Sequence, residues 1–458
     1  MVKSDGSISR ISVIGLGKLG APLAACLASR GFTVIGADVV PKVVACINEG
    51  RPPVQEPGLG DLITCCNGRL TATTDLRAAV LASEATFVVV PTPSEADGRF
   101  SIQFLLDACD KIGQALRDKP YHLVVITSTV MPGATGGPVQ RRLEEVSGKR
   151  CGRDFGLCYS PEFIALGSVI RDMLNPDFIL VGESDRRAGD LLGTVYDRLC
   201  EGKPPVRRMS FVNAELTKLA LNTFVTTKIS YANMLAQICE RLEGGDVDVV
   251  TGALGLDSRV GGAYLKGGLA YGGPCFPRDN RALCGLAQDL GVKPLLGEAT
   301  DATNRLQIAR IIDLVTTVRP DGDAPIAILG LAYKPDTDVV AESPGLALAH
   351  ELIARSIGIR MYDPIALESA REALNGKGEY ATSVAECCRG AGLIAIMTPC
   401  QEFRAIRPEM LGDGASRPVI LDCWRILDGE AFSTNSVYIG LGRGAPTVKR
   451  EPSETASS

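Results

Sequence analysis

The stretch Tyr271-Gly272-Gly273-Pro274-Cys275-Phe276-Pro277-Arg278-Asp279 sets one cysteine between two prolines and behind two glycines. Such a backbone is rigid and irregular, and it holds the thiol in a fixed place. Arg278 stands where it can favour a thiolate electrostatically. Asp279, four residues on, stands where it can take a proton or orient a reacting water. On these residues alone, a buried structural cysteine competes evenly with a nucleophile.

A second stretch changes the balance. Gly15-Leu16-Gly17-Lys18-Leu19-Gly20 follows a short apolar run (residues 10–15) and opens a helical pattern, and Asp38 ends the next apolar run. That is the strand–turn–helix–strand context in which G-x-G-x-x-G binds a dinucleotide. Gly15 permits the tight turn, Gly17 lets backbone approach a pyrophosphate, and Gly20 lets helix pack on strand. The helix N-terminus favours the phosphate charge. Asp38 would accept hydrogen bonds from ribose hydroxyls and repel a 2'-phosphate, and Val39-Val40-Pro41 offers no arginine to hold one, so NAD is expected over NADP. A thiolate beside NAD has a defined chemistry. It adds to an aldehyde, the adduct loses hydride to give a thioester, and water releases an acid.

These groups need a scaffold. Apolar runs at 10–15, 32–38, 85–91, 122–128 and 177–182 alternate with helical patterns, the rhythm of a doubly wound parallel sheet over residues 1–205. From Asn213 to about Glu243 the chain has no Gly or Pro before its end and repeats apolar residues at helical spacing, which predicts one long helix. The Gly-rich stretch from Gly261 to Asp279 is not expected to be regular helix. A second α/β rhythm begins near Pro325, with strand runs at 325–329, 359–362, 392–397 and 418–422. Residues 446–458 are expected to be disordered.

Composition narrows the chemistry. The chain of 458 residues is 45% hydrophobic and 22% charged with a net charge of -5, which fits a multidomain globular protein and argues against a nucleic-acid partner. No apolar run approaches the roughly 18 residues of a membrane helix. The N-terminus lacks the apolar core of a secretory signal. Fifteen cysteines without such a signal suggest a reducing, cytoplasmic setting, with most of them buried as small apolar residues. With only His122 and His350, a histidine metal site is not expected, and neither has a G-x-S-x-G partner. Proton chemistry therefore falls to Lys, Asp, Glu or Cys.

Taken in order, these motifs resemble the UDP-glucose/GDP-mannose dehydrogenase family from about residue 10 to 430. The likeness rests on the Gly15 turn with Asp38, Val90-Pro91-Thr92-Pro93, Ser128-Thr129-Val130, Pro161-Glu162-Phe163, Glu215-Leu216-Thr217-Lys218 with Asn222, the Cys275 loop, and Lys334-Pro335-Asp336-Thr337. The resemblance implies two NAD-dependent oxidations at C6 of a nucleotide sugar, ending in a uronic acid. It implies that Cys275 is the nucleophile, that Lys218 and Asn222, one helical turn apart, assist proton removal and steady oxyanion charge, and that Thr129, Glu162 and Asp279 handle the hydrolytic water. It also implies cofactor contacts from Gly15, Gly17, Leu19, Gly20, Asp38, Thr92, Thr129 and Arg278. Substrate contacts would come from Glu162, Phe163, Lys218, Asn222, Arg259, Lys266, Tyr271, Gly272 and Lys334. The family's arginine reaches the neighbouring subunit's site, so Arg259 implies at least a homodimer. No metal is implied.

The implied organisation is an NAD-binding Rossmann domain (1–205), a central helical dimerisation domain with the cysteine loop (206–310), a C-terminal UDP-binding domain (311–445) and a tail (446–458). Two Rossmann-like domains are thus joined by a long central helix. The sequence departs from the family at Ala341, where an arginine near the cofactor is usual, at Leu166, where a polar residue is common, and at Arg278, where lysine is common. Trp424-Arg425 occupies the place of an Arg-Asn pair, with Arg425 a candidate substitute. Two other readings stand beside the four-electron enzyme. One is a two-electron β-hydroxyacid-type dehydrogenase with Lys218 as base. The other is a non-catalytic NAD- or nucleotide-sugar-binding regulator.

Overall fold

The computed structural model describes residues 8–66, 68–320, 322–411, 417–432, 434 and 436–444. The expected disorder of 446–458 falls outside them. The chain divides after Leu221 into two compact units.

The first unit is built on an eight-stranded sheet: β1 (Arg10–Ile14), β2 (Thr33–Ala37), β3 (Leu70–Thr73), β4 (Ala85–Val88), β5 (Leu123–Ile126), β6 (Gly156–Tyr159), β7 (Ile179–Glu183) and β8 (Val206–Met209). Their spatial order is β3-β2-β1-β4-β5-β6-β7-β8. Neighbours run parallel except at β6 and β7, where Cys158 faces Glu183 antiparallel. The strands are short apolar runs because both sheet faces are covered. Ile11 and Val13 pack to one side with Leu23 and Leu27 of the helix Gly20–Ser29, and Ile14 packs to the other with Leu105 and Ile112 of Gln103–Leu116. The order reverses between β1 and β4, the switch point beside which such sheets bind ligands at the carboxyl ends of their strands. The strand ends that follow β1, β2, β4, β5 and β6 carry Gly15, Asp38, Thr92, Thr129 and Glu162.

The second unit carries a six-stranded sheet of β9 (Ile326–Leu329), β10 (Ile359–Tyr362), β11 (Glu379–Tyr380), β12 (Leu393–Ile396), β13 (Val419–Asp422) and β14 (Val437–Gly440). The order is β11-β10-β9-β12-β13-β14, every pair parallel. It repeats the first sheet's plan in small. After β9, Gly330 turns at φ 98°, and Asp363 after β10 accepts from the N–H groups of Leu331 and Ala332 at 2.8 and 3.0 Å.

The fold is therefore the doubly wound pair expected. The long helix runs Phe211–Cys239, 29 residues, and stops short of Glu243 as the chain turns toward Gly244-Gly245. A Cβ on Gly245 would lie 2.3 Å from the Cys239 carbonyl oxygen. Three further helices complete the region: Val247–Leu256, Phe276–Asp289 and Leu295–Val318. Strands β3, β6, β8, β11 and β14 lie outside the runs expected from the sequence. Edge strand β8 is mostly exposed and shows no apolar alternation to read.

Candidate active site

The first unit positions the dinucleotide turn. Gly15 has φ 87°, and a Cβ there would lie 2.4 Å from the Val89 carbonyl oxygen. A Cβ on Gly20 would lie 1.8 Å from the Gly15 carbonyl oxygen, so helix and strand meet only because both are glycine. Gly17 differs: its Cβ would meet no atom within 4 Å. Packing within the chain does not demand a glycine there, whereas close approach of a ligand to the backbone would. Asp38 follows β2 and accepts from Leu16 N–H at 2.8 Å and Val40 N–H at 2.9 Å, which ties the acid to the turn. These residues fit NAD: the turn Gly15–Gly20 would take its pyrophosphate and Asp38 its ribose.

Thr129 follows β5. Its carbonyl accepts from the Thr92 hydroxyl at 2.7 Å, which joins the two strand ends. Glu162 follows β6. Burial pushes its carboxyl up to about 7, against the lowering effect of the Lys218 ammonium. It lies within electrostatic reach of Cys26, Tyr196 and Cys200. Lys218, itself buried, donates to the Glu162 carbonyl oxygen at 2.6 Å and stands 4.6 Å over the Phe163 ring, which packs on Phe178 at 4.8 Å. Thus Lys218, Glu162 and Phe163 come together. Leu166 packs against the apolar core and offers nothing polar to water.

Two carboxylates that the sequence reading did not single out for a role hold these segments. Glu56 accepts from Gly167 N–H at 2.9 Å and Val169 N–H at 2.8 Å, which pins the far end of the Glu162 segment. Glu215, fully buried, accepts from Gly133 N–H at 2.5 Å and Thr135 N–H at 2.7 Å, which pins the segment after Thr129. Burial raises the Glu215 carboxyl despite those bonds. Its only sequence signal was its place one turn before Lys218.

The second unit holds the thiol. Cys275 is exposed and caps the N-terminus of the helix Phe276–Asp289, with Pro277 in its first turn. The residues read as loop beyond the cysteine are therefore helix. A helix N-terminus stabilises negative charge, which suits a thiolate. Asp279, in that first turn, is buried, and its Oδ2 accepts from Asn222 Nδ2 at 2.6 Å. Arg278 Nε donates to Asp279 Oδ1 at 3.3 Å, so Arg278 is tied to the acid beside the thiol. Cys275, Arg278, Asp279 and Asn222 form one cluster.

The remaining candidates are spread more widely. Arg259 is 87% exposed and pairs with its own neighbour Asp257 at 2.6 Å. Lys266 is exposed, and Lys334 is half-buried in the turn after β9, 5.9 Å from the Tyr333 ring. Gly272 and Gly273 lie under that turn. A Cβ on Gly272 would lie 2.2 Å from the Glu342 carbonyl oxygen, and one on Gly273 would lie 2.6 Å from the Tyr333 ring. Gly273 N–H donates to the Ala341 carbonyl at 3.0 Å, so the position that lacks the family's arginine supports the cysteine loop through its backbone. Tyr271 is buried, its hydroxyl without a hydrogen-bond partner among the described residues and within electrostatic reach of Asp301. Arg425, the candidate substitute for the Arg-Asn pair, has a fully buried side chain paired with Asp248 at 2.7 Å. All its reach is spent inside the protein, so that expectation is corrected. Among the described residues, no cluster of three His, Cys, Asp or Glu could hold a metal, and no helix is long and apolar enough to cross a membrane.

Comparison with known proteins agrees over nearly the whole chain. Models of the UDP-glucose/GDP-mannose dehydrogenase family match residues 9–200 (NAD binding domain), 212–306 (central domain) and 327–429 (UDP binding domain). The UDP-glucose 6-dehydrogenase AglM of Haloferax volcanii is 38% identical over 422 residues, 91% of this chain and 97% of that one. The GDP-mannose 6-dehydrogenase of Azotobacter vinelandii is 36% identical over 359 residues, 77% and 81% of the two chains. A solved UDP-glucose dehydrogenase from Pyrobaculum islandicum superposes with a TM-score of 0.87 at 32% identity, covering 97% of this chain and 100% of that one. The chain belongs to the UDP-glucose/GDP-mannose dehydrogenase family. It is an NAD-dependent nucleotide-sugar dehydrogenase, and the two-electron and non-catalytic readings give way to it.

Proposed function

We propose that the chain oxidises the C6 hydroxymethyl group of a UDP-hexose, UDP-glucose first among candidates, to the uronic acid. The observation that carries this reading is the cluster in which exposed Cys275 caps a helix whose buried Asp279 is held by Asn222 at 2.6 Å. Lys218 and Asn222 receive the C6 hydroxyl, whose proton passes to a water that they hold while the hydride goes to the bound cofactor. The Cys275 thiolate adds to the aldehyde carbon, and the resulting oxyanion is steadied by Lys218 and Asn222. Loss of a second hydride converts the thiohemiacetal to a thioester. Water, directed by Thr129, Glu162 and Asp279, cleaves the C–S bond to carboxylate and free thiolate. NAD supplies the hydride acceptor for both oxidations.

Residues 1–205 serve the cofactor, 206–310 carry the cysteine loop and the subunit contact, and 311–445 hold the nucleotide diphosphate. Gly15, Gly17, Leu19, Gly20, Asp38, Thr92, Thr129 and Arg278 line the cofactor, and Phe163, Arg259, Lys266, Tyr271, Gly272 and Lys334 serve the substrate. UDP-glucose is favoured over GDP-mannose because the UDP-glucose relatives align over more of this chain, 91% and 98% against 77%. A homodimer is supported by the long helix, whose outer face leaves Phe224, Tyr231, Met234 and Ile238 exposed at helical spacing. A second copy covering that face brings Arg259 to its neighbour's site. A cytoplasmic location is supported by fifteen free cysteines. NADH release with UDP-glucose, UDP-N-acetylhexosamines and GDP-mannose tests the reading. Two NADH per uronate with UDP-glucose supports it, and one NADH per ketone with any of them contradicts it.

A further inference from the structure

Between Lys266 and Cys275 the chain has no regular structure, yet buried side chains take up much of its backbone. Gly267 C=O accepts from Arg425 Nη2 at 2.7 Å. Asn233 takes Gly268 N–H at 2.8 Å and donates to Leu269 C=O at 3.0 Å. Gln307 donates to Gly268 C=O at 2.5 Å. Asn304 takes Tyr271 N–H at 2.8 Å and donates to Tyr271 C=O at 3.0 Å. Asn233, Asn304 and Gln307 are all buried. A carboxamide is the side chain that offers a donor and an acceptor side by side, so it can stand in for a neighbouring strand.

Two glycines make room for this arrangement. A Cβ on Gly267 would lie 2.8 Å from the Ala232 carbonyl oxygen, and one on Gly268 would lie 3.1 Å from the Trp424 ring. Asn233 comes from the helix Phe211–Cys239, and Asn304 and Gln307 come from the helix Leu295–Val318. Two rigid helices thus dictate where residues 268–271 lie, and only Gly272, Gly273 and Pro274 separate that stem from the thiol. Gly273 is fixed in turn by Ala341 and the Tyr333 ring. A buried network of directional bonds specifies one arrangement, where an apolar contact would tolerate several.

We propose that Asn304, seconded by Asn233 and Gln307, is a positioning residue of the reaction: the carboxamides set where the Cys275 thiol stands. This rests on Cys275 being the nucleophile. The test is Asn304→Asp, which keeps the volume and the acceptor for Tyr271 N–H but loses the donor to Tyr271 C=O. Uronate kcat is measured beside the rate at which iodoacetamide alkylates Cys275 in the native enzyme, read on the Cys275 peptide by mass spectrometry. We expect kcat to fall about 30-fold, as displacement of a reacting group by a fraction of an ångström to an ångström does. We expect the alkylation rate to move at least about fivefold, while Ser436→Ala, which removes another buried bond of the same unit, moves neither. Should Asn304→Asp fail to fold, Asn233→Asp takes its place with the same two readouts. An alkylation rate within about twofold of the parent's overturns the proposal, whatever kcat does. Because alkylation reports the thiol's setting and not turnover, this outcome is separate from a failure of the nucleophile reading, which uronate production by Cys275→Ala would reveal.

Discussion

Asn222 Nδ2 donates to Asp279 Oδ2 across 2.6 Å, and both residues are buried. The long helix and the cysteine helix are tied by this bond at the acid one turn beyond the thiol. A buried carboxylate so held keeps one orientation, which an acid that must direct a water requires.

Asp279→Asn should therefore preserve the bond's geometry while removing the charge. Overall kcat is expected to fall about 100- to 1000-fold, the range for a lost acid–base group. Incubated with UDP-glucose and NAD, the variant should accumulate a sugar adduct on the Cys275 peptide. An equal loss of rate with no adduct by mass spectrometry would move Asp279 out of the hydrolytic step.

Glu162 carries a pH prediction. Its carboxyl is pushed from 4.5 up to about 7 by burial, against Lys218. In the proposed hydrolysis Glu162 must be ionised to draw a proton from water, so kcat should rise with pH through about 7, and Glu162→Gln should flatten that limb. Stability should move the other way. The folded state holds this proton more tightly than the unfolded chain, so stability falls as pH rises from 4.5 to about 7 and then levels off. The cost is on the order of 3 kcal/mol, and chemical denaturation of parent and Glu162→Gln across that range measures it.

Asp38 is tied to the glycine turn through Leu16 N–H and is proposed to hold the ribose. Asp38→Ala should raise KM for NAD about 10- to 100-fold, the worth of hydrogen bonds to a charged acceptor. It should also lower Tm, because the N–H groups of Leu16 and Val40 lose their acceptor. Initial rates and calorimetry check both effects.

Glu215 makes a stability prediction. Glu215→Ala leaves Gly133 and Thr135 N–H without their acceptor in a buried place. The expected loss is about 2–4 kcal/mol by urea denaturation. Because the segment after Thr129 is released, kcat should fall as well, while KM for NAD stays within about twofold of the parent's.

What the sequence disclosed follows from local physics. Gly15 and Gly20 were legible because backbone geometry excludes a side chain there, and Asp38 because strand and helix periods place it. The long helix announced itself by its spacing. Glu56 and Glu215 did not, because each takes backbone N–H groups more than 75 residues away, and no local pattern records such a bond. Asn233, Asn304 and Gln307 gave no signal, because the loop stem that each holds lies more than 30 residues away. Arg425 was legible as a charge but not as a buried one. Strand β8, exposed along most of its length, carries no apolar alternation.

The most direct test is uronate formation by Cys275→Ala, with NADH counted per sugar. If Cys275 carries the carbon being oxidised, the variant makes no uronate and yields at most one NADH per sugar, while the parent yields two. Uronate at the parent's rate from the variant would contradict the account.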